Sequence, residues 1–182
     1  MRYQELIESG SAPLYHATGF YAAWQILNRG NIEASDNSYD RDDRYNISTT
    51  RNPRLRYYSV SGVDSPGHAP IQFVINSVTV AHKHKIVPYD YVYADIDTSK
   101  MIKHSIGHRS ESEEKIIADK LPINHIVTVQ LFTVPKDFEP NEDDEYFLKE
   151  NGGYRKTYQL IIGLAKQNNI KIEDFRRKKK RS

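Results

Sequence analysis

Three short segments hold the side chains best suited to chemistry: Tyr15-His16-Ala17-Thr18, Ser48-Thr49-Thr50-Arg51 and Glu111-Ser112-Glu113-Glu114. Each lies at the end or edge of an apolar run. An imidazole at a strand end can hold a sugar hydroxyl, and Thr18 can add a second hydroxyl contact. The plainer reading of His16 is a structural histidine making one hydrogen bond. Hydroxyls that end a buried strand can orient a ligand, and Arg51 can pair with a pyrophosphate. The same Thr run followed by Asn52-Pro53 also suits a strand that stops at a turn. Tyr57 and Tyr58 follow at a distance where an aromatic ring can stack on a planar ligand, although core packing serves them equally well. A carboxylate abutting the apolar Ile116-Ile117 sits at the edge of any cleft there. It can stabilise positive charge developing on a sugar, as glycosidases do. A solvated charge cluster is the ordinary alternative.

Other constellations carry less. His82-Lys83-His84 invites a metal, but its lysines repel cations and no carboxylate or thiol completes the set. His104 and His108 bracket Gly107, a poor helix position. No phosphate-binding glycine loop and no Gly-x-Ser-x-Gly nucleophile elbow occurs. No metal is expected.

The elements that must position these groups follow from periodicity. Ala12 to Ala17 reads as a first strand, and Phe20 to Asn28 as a helix with Phe20, Ala23, Trp24 and Leu27 on one face. Gly30 suits its C-terminal stop. Residues 33 to 46 read as a long polar loop. Ile47 to Thr50 is a short strand, and Arg54 to Val60 a helical turn or two. Ser61 to Pro70 is a loop, Ile71 to Ile75 and Ser77 to Ala81 are β-rich, and Lys85 to Val92 holds an edge strand. Glu114 to Ala118 and His125 to Val134 are the last strands expected, joined through Leu121-Pro122-Ile123. Asp137 to Glu145 reads as an acidic linker. Tyr154 to Gln167 reads as a helix facing inward with Tyr158, Ile161, Ile162 and Ala165 and ending at Asn168-Asn169. Short strands with few helices between them predict an α+β fold with a mixed or antiparallel core.

Composition sets the outer limits. The 182 residues suit one domain with a small appendage, and 38% apolar residues can supply a core. With no cysteine there is neither a disulfide nor a thiol nucleophile, which suits a reducing cytoplasm. Met1 to Ala12 lacks the apolar stretch of a signal peptide, and Leu160 to Ala165 is far too short to span a membrane. A cytoplasmic protein with no membrane partner is expected. Net charge is +2, but Arg176, Arg177, Lys178, Lys179, Lys180 and Arg181 are all basic. Removing those six from the +2 total leaves the remainder at −4. A basic run of this kind is usually a solvated tail. Its other use is to attract a nucleic acid or nucleoprotein target.

Together the three segments resemble the ADP-ribosyltransferase superfamily, and most of all its small bacteriophage and bacterial toxin members. Leu14-Tyr-His-Ala-Thr18, with a helix ending Ile26-Leu-Asn-Arg-Gly30, is similar to the family's first strand and helix. Ser48-Thr-Thr-Arg-Asn-Pro53 is similar to its second motif, and Glu114 through Ile126 to the strand of the catalytic glutamate and its exit. Histidine in the first motif sides with the histidine-type clade. The resemblance covers Leu14 to Val134 and implies a split pair of β-sheets around an NAD cleft, with flanking helices. Residues 1–136 would form that NAD-binding core. Residues 137–182 would add the acidic linker, the C-terminal helix and the basic tail.

NAD is then the expected substrate. His16, Ala17 and Thr18 would hold the adenosine-side ribose and nearby polar groups. Ser48, Thr49 and Thr50 would shape the nicotinamide pocket, with Arg51 toward the phosphates and Tyr57 or Tyr58 stacked on nicotinamide. Glu114 would bind the nicotinamide-ribose hydroxyl and stabilise the oxocarbenium ion. A register slip of one residue would hand that role to Glu113. The implied activity is mono-ADP-ribosylation of a host or defence-related macromolecule, protein or nucleic acid. Two rivals stand beside it: a catalytically silent binding module or inhibitor, and a nucleic-acid-binding protein working through the tail of Arg176 to Arg181.

Overall fold

The computed structural model describes residues 12–34, 45–54, 57–58, 67–88, 113–134, 136 and 138–176. The chain divides into two compact units, each assembled from three stretches of sequence. The first takes Met1–His16, Asn31–Leu55 and Ile75–His125; the second takes Ala17–Gly30, Arg56–Val74 and Ile126–Ser182. Both mix strands with helices. The expected α+β class is the one that forms.

The first unit is built on an antiparallel ladder. Strands β1 (Leu14–Thr18), β2 (Asn31–Glu33), β3 (Asn46–Thr50), β7 (Lys85–Pro88), β8 (Glu113–Ile117) and β9 (Lys120–Pro122) supply its pairings. β8 lies between β3 and β7, and β3 lies between β8 and β1. The β3–β8 register runs from Asn46↔Ile117 through Ser48↔Lys115 and Thr49↔Glu114 to Thr50↔Glu113. Residues directly opposite share a face, so Ile47 and Ile116, 2% and 0% exposed, form the buried apolar centre of that ladder. β2 and β9 make a separate antiparallel pair through Ile32↔Leu121, both buried.

Two elements here depart from the sequence reading. Ser77–Ala81 is a short helix, α2, despite its β-branched residues. Asn76 decides this: its side chain accepts from Val78 N at 3.1 Å and Thr79 N at 3.2 Å, an N-cap that outweighs strand propensity. Glu33, expected to open the long polar loop, ends a strand, Asn31–Glu33. Residues 35–44 of the expected loop, and 89–92 of the expected edge strand, lie outside the described residues. The expected joint through Leu121-Pro122-Ile123 is β9 followed by a 3₁₀ turn, Ile123–His125.

The second unit packs helices α1 (Phe20–Arg29), α3 (Glu142–Glu150) and α4 (Tyr154–Gln167) with strands β6 (Ile71–Ile75), β10 (Ile126–Leu131) and β11 (Lys171–Asp174). Phe20, Ala23, Ile26 and Leu27 bury one stripe of α1. Trp24, expected on that stripe, lies half-exposed beside it, stacked on Tyr21 and tilted against Phe147. Gly30 closes the helix at φ 77°, where its N–H bonds Ile26 O at 3.0 Å. Gly19 brings no capping side chain to the other end. Asp144 of α3 supplies the cap, accepting from Tyr21 N at 2.7 Å.

The acidic stretch expected to be a linker ends in helix, from Glu142 onward. Asn141 caps α3, and Glu142, Asp143, Asp144 and Glu145 crowd its first turn, where the helix dipole favours negative charge. α4 runs over the expected Tyr154–Gln167 and buries Tyr158, Ile161 and Ala165; Ile162 is only partly covered. Asn168 ends it and donates to Leu27 O and Leu164 O at 3.0 and 2.9 Å, tying α4 to α1. β11 pairs parallel with β10, a strand the charged Lys-Ile-Glu-Asp sequence conceals. The expected helical turns over Arg54 to Val60 give way to β4 (Tyr57–Tyr58). It pairs with β5 (Gly67–His68), inside what reads as loop. Among the described residues no helix is long and apolar enough to cross a membrane.

Candidate active site on strands β1, β3 and β8

Three adjacent strands of the first unit gather most of the side chains singled out above. β1 pairs with β3 at Tyr15↔Thr50. One residue on, the His16 imidazole takes the Ser48 carbonyl, Nδ1 to O 2.8 Å. A carbonyl only accepts, so Nδ1 carries the hydrogen and the neutral ring keeps its lone pair on Nε2. Desolvation lowers the His16 pKa most. The Ser48 bond opposes that shift, and the Lys115 ammonium adds to it. A neutral imidazole with Nε2 as acceptor is suited to a hydroxyl donor such as a sugar.

Glu114 is the second fixed point. Its Oε1 accepts from Arg51 Nε at 2.9 Å, with the two side chains 16% and 17% exposed. Its Oε2 is buried and has no hydrogen-bond partner. A carboxylate oxygen in that state is costly unless something donates to it. Thr49, opposite on β3, gives its hydroxyl hydrogen to Glu114 O at 2.9 Å and fixes the local backbone. Arg51 also donates to Ala12 O at 2.6 Å, so its guanidinium is anchored from two directions.

The remaining expected residues fall into distinct positions. Ser48 is exposed at the strand surface, and its hydroxyl accepts from Lys115 Nζ. Thr50 is buried, and its Oγ1 accepts from Asn52 N at 3.1 Å in the turn that ends β3. Glu113 lies opposite Thr50 on β8, one register position from Glu114. Ala17 and Thr18 continue β1 into the second unit, with Thr18 6% exposed. Tyr57 and Tyr58 form β4, also in the second unit. Glu111, Ser112, His104, His108 and residues 177–181 lie outside the described residues. Arg176 is described: it clasps Asp174 and lies 4.3 Å over the Tyr158 ring.

Lys115 escapes a sequence reading. It stands between Glu114 and an apolar pair and looks like a solvated charge, yet it is 3% exposed. Register sets it opposite Ser48, where it is covered although Ser48 itself is exposed. His125 escapes likewise. It is 2% exposed, with Nδ1 2.8 Å from Thr79 Oγ1, the His84 ring edge-on at 6.1 Å and Nε2 without a partner. Among the described residues no group of three or more His, Asp or Glu is placed to hold a metal.

These two histidines give the fold an acid limit. The His125 pKa is lowered by burial first, then by repulsion from Lys83 and His84. Both rings thus titrate below their ordinary 6.5. In the window from there down to the folded values the unfolded chain binds protons the folded chain does not. Their contribution to stability is therefore level above about pH 6.5 and falls as pH drops below it. Urea midpoints measured between about pH 7.5 and pH 5 should decline, and His125→Leu should make the slope shallower. A flat profile in the unmodified chain would contradict the lowered titration of these two rings.

No family model and no curated protein matches the chain. Solved structures do. Thermus sp. 2.9 DarT in complex with ADP-ribosylated ssDNA superposes with a TM-score of 0.51 at 10% identity, covering 92% of this chain and 94% of that one. The same protein in complex with carba-NAD+ gives 0.52 at 10% identity, covering 93% and 96%. With NAD+ it gives 0.51 at 10% identity, covering 92% and 96%. Nearly the full length of both chains is matched while nine residues in ten differ, so what they share is architecture: this chain has the fold of Thermus sp. 2.9 DarT.

Proposed function

We propose that this chain is an NAD-consuming mono-ADP-ribosyltransferase that modifies a nucleic acid. The observation that carries the reading is the Glu114 carboxylate. One oxygen is held by Arg51, and the other is buried without a donor. That oxygen suits a ribose hydroxyl. The charge of the carboxylate opposes the positive charge that builds at C1′ as the bond to nicotinamide breaks. The electron pair of that bond leaves with the nicotinamide nitrogen. An acceptor nucleophile then bonds C1′ and gives up its proton. His16, neutral with Nε2 as acceptor, holds a second sugar hydroxyl.

Support for the substrate comes from the DarT structures, which hold NAD+ and carba-NAD+ on the same fold. The DarT complex with ADP-ribosylated ssDNA favours a nucleic-acid acceptor over a protein. Placement among the small phage and toxin members of the histidine-type clade belongs to the same reading. It rests on the first-motif resemblance around His16.

Incubation of the purified protein with adenylate-labelled NAD, single-stranded oligonucleotides of mixed sequence and a bacterial lysate tests this. Nicotinamide release with label on the oligonucleotides is the expected result. Label on protein alone would overturn the acceptor. Neither release nor label would overturn the enzyme and favour a silent binding module.

A further inference from the structure

We propose that Lys115 is a positioning residue for His16, acting through Ser48. Ser48 and Lys115 are register partners on β3 and β8, so their side chains project from one face of the ladder. The Lys115 ammonium donates to Ser48 Oγ, while the Ser48 carbonyl accepts from His16 Nδ1 at 2.8 Å. A single residue thus ties the ammonium to the imidazole. Lysine has only hydrogens to give, so the Ser48 hydroxyl accepts from it and keeps its own hydrogen for donation elsewhere.

Burial makes the arrangement informative. Lys115 is 3% exposed, although Met or Leu would fill the same strand position without desolvating a charge. A buried ammonium at this point does two things an apolar side chain cannot. It fixes the Ser48 side chain, and with it the peptide whose carbonyl selects the His16 tautomer. Its charge also opposes a proton on Nε2, in keeping with its part in lowering the His16 pKa. Among the described residues the neighbouring charged side chains include Arg51 at the end of β3 and Glu114 on β8, which are bonded to each other, and Lys85 on β7, whose register partner Ile117 lies two residues on from Lys115. The consequence for NAD rests on the function proposed above; the effect on His16 itself does not.

The test reads both. Histidine-labelled protein is examined by nitrogen NMR, with His16 assigned by the signal lost in His16→Ala. The unmodified chain should show His16 as the neutral Nδ1–H tautomer at neutral pH. In Lys115→Met the His16 signals should move toward those of a freely exchanging, partly protonated imidazole. KM for NAD should rise about tenfold with kcat changed less than about threefold. Lys115→Arg should restore most of both. Unchanged His16 signals in Lys115→Met would overturn the proposal. Should that variant fail to fold, Ser48→Ala removes only the hydroxyl and must shift His16 the same way; no shift would overturn it too. If the unmodified chain does not bind NAD, the enzymatic reading fails, and the NMR comparison still decides the role of Lys115.

Discussion

Glu114→Gln lowers nicotinamide release by about 10²–10³-fold in kcat while leaving KM for NAD within a few-fold. Glutamine keeps the shape of the side chain and can still accept from Arg51 Nε. What it loses is the negative charge, which matters only as positive charge develops on the sugar. The effect therefore belongs in the transition state. Stability should change by only about 1 kcal/mol in either direction. The substitution weakens the 2.9 Å pair with Arg51, and it also relieves the buried oxygen that has no donor. Steady-state kinetics beside thermal unfolding of the same samples decides the matter. A variant that turns over normally would remove Glu114 from the chemistry. Glu113→Gln is the control: Glu113 lies opposite Thr50, one register position from Glu114, and on the proposed reading its kcat should fall less than about tenfold.

That contrast marks what the sequence disclosed and what it withheld. Helices α1 and α4 were legible because their apolar residues recur at helical spacing and Gly30 and Asn168 sit at their ends. The strands around Ser48-Thr49-Thr50 and Ile116 were legible because β-branched residues abut a Pro or a charge. Ser77–Ala81 misled because propensity is local and weak, while the Asn76 cap satisfies two backbone donors at once. α3 was hidden because four acids in six residues look solvated until they are placed at a helix N-terminus.

The site divides along the same line. Residue types at strand ends pointed to His16, Arg51 and Glu114, since polar groups there have few structural duties. Three further facts depend on register, which no single strand records. These are the Arg51–Glu114 pair, the burial of Lys115 beside Ser48 and the gift of the Thr49 hydroxyl to the Glu114 carbonyl. A one-residue slip in β8 would have exchanged Glu114 with Glu113 and moved Lys115 to the other face.

Phe20→Ala costs about 3–5 kcal/mol of stability. Phe20 is 0% exposed, and its ring meets three others: Tyr158 at 5.0 Å and 79°, Tyr154 at 5.5 Å and Phe138 at 6.1 Å and 82°. Two of these are edge-to-face contacts, which add to the area buried. The partners come from α4 and from the segment before α3, so they hold α1 from separate parts of the chain. Domains of this size are stable by about 5–15 kcal/mol, so the loss is a large share of the whole. Thermal unfolding should shift down by about 6–20 °C at 2–4 °C per kcal/mol. Phe20→Leu, which keeps most of the volume, should cost less than half as much. A shift under about 3 °C for the alanine variant would mean the aromatic cluster is not what secures α1. Phe20→Ala removes packing and should melt the protein early, while Glu114→Gln removes a charge and should leave it folded and idle.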